Sequence, residues 1–91
     1  MSVAQTMQHK LEDALSPATI ELVDVSEAHR GHGGWREGGE THFDLHVISP
    51  RFEGLGRVAR QRLVMEALAE ELRGPVHALS MRCETPAEAG R

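Results

Sequence analysis

Residues 41–49 constrain the fold more than any other stretch, because their side chains alternate without interruption. Phe43, Leu45 and Val47 fall on one side of an extended backbone, and His42, Asp44 and His46 fall on the other. The pattern predicts a strand with one face on a core and one polar face. Downstream, Val58, Met65, Leu68 and Leu72, flanked by Val64 and Ala69, recur at helical spacing and predict one helix running to Gly74-Pro75. Residues 76–84 then form a strand that Thr85-Pro86 ends. A strand, one helix and another strand make a right-handed crossover, so the two strands are expected to be parallel.

Upstream, Val3, Met7, Leu11 and Leu15, with Ala4 and Ala14 beside them, predict an amphipathic helix. It should stop near Ser16-Pro17, since proline disfavours helical geometry in the residue before it. Thr19, Ile20, Val23 and Val25 predict a strand over residues 19–26, and EAHRGHGGWREGG reads as a glycine-rich loop. The expected architecture is α+β, in the order α-β-β-α-β, with a three-stranded mixed sheet and helices on one face. Ninety-one residues support one core, hence a single domain over 1–91 with a loose tail at about 87–91.

Composition narrows the function classes. A formal net charge of -4 argues against attachment to nucleic acid or an anionic membrane through bulk charge. The lone cysteine, Cys83, permits no internal disulfide and fits a reducing compartment. The N-terminal residues contain no apolar stretch typical of a signal peptide, and no apolar run reaches membrane-spanning length, so the expected location is cytoplasmic. No Walker or dinucleotide motif is present, and no nucleophile can be matched with a base, so no enzyme activity is expected.

Six histidines are the more informative feature. Parallel strands start at the same edge of a sheet, and the glycine-rich loop also enters there. His29 and His32 in the loop should therefore share a rim with His77 at the start of the last strand. Two imidazoles could supply half of a four-coordinate metal site, with the remaining ligands coming from a partner or small molecule. The alternative is a pair of solvated loop histidines and a hydrogen-bonded strand-end residue. His42, Asp44 and His46 on one strand face resemble a two-histidine, one-carboxylate iron site, although a polar strand face produces the same run. Arg51, Arg57, Arg60 and Arg62 surround the start of the second helix, where they could meet phosphates or lie on a solvated face.

Five strings resemble the BolA family: SEAHRGH at 26–32, GETHF at 39–43, ISPRFEG at 48–54, RVARQRLV at 57–64 and PVHALS at 75–80. Gln61 and Met65 depart from residues frequent in that family. The resemblance implies an arrangement similar to a type II KH domain and a partnership with a monothiol glutaredoxin. In such a partnership a [2Fe-2S] cluster is shared, with the glutaredoxin cysteine and glutathione as two of its ligands. It further implies that His77 matches the family's C-terminal histidine ligand and His29 its loop ligand, with His32 as the rival. The alternative implied role is transcription regulation through DNA binding by the basic helix-turn region.

Overall fold

The computed structural model describes residues 2–26 and 39–90. Helix α1 spans Val3–Leu15, strand β1 Thr19–Asp24 and strand β2 His42–Ile48. A 3-10 turn at Pro50–Phe52 leads to helices α2, Arg57–Ala67, and α3, Ala69–Arg73, and then to strand β3, Ala78–Glu84. The sheet order is β1-β2-β3, with β1 and β2 antiparallel and β2 and β3 parallel. This is the expected mixed three-stranded sheet.

Helix α1 starts where the sequence can satisfy its free N–H groups. Ser2 Oγ accepts the Gln5 N–H at 3.1 Å, and Gln5 Oε1 accepts the Ser2 N–H at 2.9 Å, a reciprocal cap. The apolar stripe of α1 delivers Met7, Leu11 and Leu15 to the core, where they meet Phe43, Leu45 and Val47 of β2. Phe52, Val64, Leu68 and Val76 complete that cluster, with Ile20, Leu22, Leu79, Met81 and Cys83 packed against it.

Four details differ from expectation. β3 begins at Ala78, two residues late, because the Val76 N–H turns back to the Glu71 carbonyl at 2.9 Å. β1 ends at Asp24, two residues early, because the Asp24 carboxylate accepts the Ser26 N–H at 2.9 Å and turns the chain. The second helix is two segments, broken at Leu68, whose ψ of 19° departs from helical geometry. No glycine or proline marks the break. Val58 and Met65, expected in the core, are 61% and 50% exposed. The inward face of α2 and α3 instead runs through Val64 and Leu68 and carries a polar residue at each end. Arg60 pairs with Glu88, and Glu71 accepts from Lys10 Nζ at 2.8 Å. Among the described residues, no helix is long and apolar enough to cross a membrane.

Candidate functional site

One rim of the sheet gathers the end of β1, the start of β2 and the start of β3. The Thr41 carbonyl accepts the N–H groups of His77 at 2.8 Å and Ala78 at 3.2 Å, which fixes the entry to β3. His77 is exposed, so backbone bonds hold its main chain while its ring faces solvent. His42, the first residue of β2, is 4% exposed, and its ring centroid lies 5.3 Å from that of His77, with the planes tilted by 51°. The parallel register sets His42 opposite Ala78, the neighbour of His77.

A polar network stiffens this edge. Ser26 Oγ donates to Asp24 Oδ1 at 2.5 Å and accepts the backbone N–H groups of Thr41 at 3.0 Å and His42 at 3.1 Å. Asp24 Oδ2 accepts the Glu40 N–H at 2.9 Å. Burial pushes the Asp24 carboxyl up, but hydrogen bonds from Ser26 and Glu40 and the charge of His42 outweigh it, so its pKa is lowered. Gly39 and Glu40 both have positive φ, 75° and 60°. A Cβ at Gly39 would lie 2.9 Å from Asp24 Oδ2, so glycine is required there by conformation and by space. The Glu40 carboxylate accepts the Ala4 N–H at 3.0 Å, placing negative charge at the N-terminus of α1 and tying the rim to that helix.

His77 thus stands on the rim where the strand topology was expected to put it. His29 and His32 lie outside the described residues. Alternation puts His42 on the polar strand face, whereas the structure buries it beside His77. The parallel register that pairs His42 with Ala78 makes His77 a neighbour, and alternation alone does not give that register.

The strand-face iron site does not form. His46 Nε2 pairs with Glu84 Oε1 at 2.6 Å, whereas His42 Nδ1 contacts Thr41 Oγ1 at 2.9 Å. The Glu84 pKa is lowered, chiefly by the His46 hydrogen bond and with help from Arg82, against opposing burial. Among the described residues, no group of three or more His, Cys, Asp or Glu side chains could hold a metal ion.

The arginine set is divided. Arg51 Nε donates to the Ser16 carbonyl at 3.3 Å. Arg60 donates to the Leu55 and Cys83 carbonyls and, at 2.5 Å, to Glu88. That contact and the Thr85 N–H hold the Glu88 pKa down to about 2, and they anchor residue 88 within the segment expected to be loose. Arg57 and Arg62 are exposed. A cavity of about 500 Å³, lined by Arg57, Arg60, Arg82, Cys83 and Glu88 among others, lies toward the far end of β3 from the histidine rim. Burial raises the Cys83 pKa, with Arg60 opposing, which favours the protonated thiol.

Comparison with known proteins gives a consistent result. The family model described as BolA-like protein matches residues 11–88. Human BolA-like protein 1 is 50% identical over 86 residues, covering 94% of this chain and 60% of the human protein. The chain therefore spans about three fifths of the length of that relative. The solved BolA domain of SufE1 from Arabidopsis thaliana superimposes with a TM-score of 0.85 at 42% identity, covering 97% of this chain and 96% of that domain. The DNA-binding transcriptional regulator BolA of Vibrio cholerae is 36% identical over 86 residues, covering 94% of this chain and 77% of that protein.

Proposed function

The chain belongs to the BolA-like protein family, and from that membership and the rim geometry we propose that it is a non-enzymatic partner of a monothiol glutaredoxin. In this reading it contributes histidine to a shared [2Fe-2S] cluster, with the glutaredoxin cysteine and glutathione as the ligands from the other side. Its role lies in iron-sulfur cluster trafficking or iron homeostasis.

The observation that carries the proposal is His77: an exposed imidazole on a backbone anchored by two hydrogen bonds to Thr41, at the edge where residues 27–38 join β1 to β2. Iron in such a cluster takes thiolate or imidazole ligands. His29 is the second ligand in this proposal, and His32 the rival. When bound, the cluster supplies redox and cluster-transfer chemistry; the chain's part is to hold an imidazole rigidly at an open edge. The test is anaerobic reconstitution with a monothiol glutaredoxin and glutathione. Adding this chain should change the visible spectrum of the cluster, and no change would sink the proposal.

A second reading, DNA binding, is favoured by the Vibrio cholerae relative described as a DNA-binding transcriptional regulator. Arg57 and Arg62, exposed on α2, are available to phosphates, as is the exposed Arg51, whereas Arg60 is engaged by Glu88. If they contact DNA, Arg62→Gln should reduce the slope of log affinity against log salt by about one. An unchanged slope for both Arg57→Gln and Arg62→Gln would remove this reading.

A further inference from the structure

The outer edge of β3 is an open strand edge. Along a strand in a parallel pair, every second residue turns its backbone groups toward the neighbouring strand. The Ala78 N–H donates to the Thr41 carbonyl at 3.2 Å, and the Glu84 carbonyl accepts the Ser49 N–H at 2.9 Å. Ala78, Ser80, Arg82 and Glu84 are therefore the residues of β3 that bond to β2, and Leu79, Met81 and Cys83 present their N–H and C=O groups outward. Arg60 confirms this parity, since its Nη1 reaches the Cys83 carbonyl from outside the sheet at 3.2 Å. Among the described residues, nothing meets the outward backbone groups of Leu79 and Met81. The edge is thus blunted at one end only.

Its surroundings are cationic. Met81, Arg82 and Cys83 of the strand line the cavity of about 500 Å³ together with Arg57 and Arg60 of α2, and Glu88 is the one acid in its lining. That acid shows what the groove takes: Arg60 holds the Glu88 carboxylate through Nη1 at 2.5 Å and Nη2 at 3.3 Å. Arg57 is exposed and has no carboxylate partner among the described residues, and Arg82, although it touches Glu84, is exposed as well. A row of unpaired N–H and C=O groups is complementary to another extended polypeptide, whereas a phosphate backbone has no N–H donors to offer it. A second copy of this chain pairing edge to edge would set these arginines against their equivalents.

We propose that the open edge of β3 takes an acidic, extended segment of a partner protein as a fourth strand, with its carboxylates held by Arg57 and Arg82. Main-chain bonds to Leu79 and Met81 supply the pairing, and the arginines select acidic side chains. The edge lies along the opposite side of β3 from β2, and the proposal is independent of the cluster role of His77.

The probe is a blocked octapeptide of alternating glutamate and valine, titrated into the nitrogen-15-labelled chain at low salt. Binding should be saturable and should slow hydrogen exchange of the Leu79 and Met81 amides. Arg57→Gln and Arg82→Gln, each checked for an unchanged circular-dichroism spectrum, should each weaken it by roughly two- to fivefold. A peptide of alternating glutamate and proline keeps the charge but cannot join a strand ladder, and it should give no protection. Unchanged exchange at saturating glutamate-valine peptide overturns the proposal, as does equal binding of the proline peptide, which would mean charge attraction without strand pairing. Protection of the same two amides by oligothymidylate in preference to the peptide would make the groove a nucleic-acid site instead. Protection that rises with the concentration of the chain alone would make it an interface between copies.

Discussion

Replacing His77 by alanine is expected to abolish the shared cluster without disturbing the fold. The two contacts that anchor this residue and its neighbour are backbone N–H groups donating to the Thr41 carbonyl, and alanine keeps both. The ring itself is exposed, so its removal should change stability by no more than about 0.5 kcal/mol. A lost ligand should weaken the mixed cluster by more than the ~10–100-fold that removal of an outer-sphere partner costs a metal site. His46→Ala is the matched control, since His46 serves the Glu84 pair on the sheet face. Circular dichroism and cluster absorbance measured on both variants decide the matter. A His77→Ala protein that unfolds, or one that retains the cluster as wild type does, would show that the ring is structural or irrelevant.

Phe43→Ala should have the largest effect on stability. Phe43 is 1% exposed on the central strand, and its backbone pairs with Asp24 on one side and Leu79 on the other. No edge is available for the sheet to relax toward the cavity left behind. Loss of a buried phenylalanine costs about 3–5 kcal/mol. A domain of this size has roughly 5–15 kcal/mol in total, so a large share of the stability goes. Urea unfolding should show a midpoint lowered by that free energy divided by the slope, with little change in the slope itself. A loss below about 1 kcal/mol would mean that β2 does not form the centre of the core.

The features that proved legible were those written in periodicity. The alternation of Phe43, Leu45 and Val47 gave the core face of β2, and the spacing of Met7, Leu11 and Leu15 gave that of α1. The strand-helix-strand order then placed His77 at the edge where the loop enters. Periodicity misled where polar residues face inward: Arg60 and Glu71 occupy inward positions because each has an ion-pair partner, Glu88 and Lys10, distant in sequence. Helical spacing consequently places Val58 and Met65 in the core, although they face solvent. His42 departs from the polar face that alternation gives it for a related reason. Alternation gives the face of a strand but not its neighbour in register, and the contact with Thr41 and the junction at Ser26 arise only when β1 and β2 pair. The resemblance to the BolA family supplied what spacing could not, a chemical reason for a histidine at that edge.

The central claim is tested most directly by native mass spectrometry of the chain mixed anaerobically with a monothiol glutaredoxin, glutathione, iron and sulfide. The account predicts one dominant species containing one copy of this chain, one glutaredoxin, one glutathione and one [2Fe-2S] cluster, and its disappearance when His77→Ala replaces wild type. A cluster found only on glutaredoxin, with this chain remaining free, or a stable cluster on this chain alone, would contradict it.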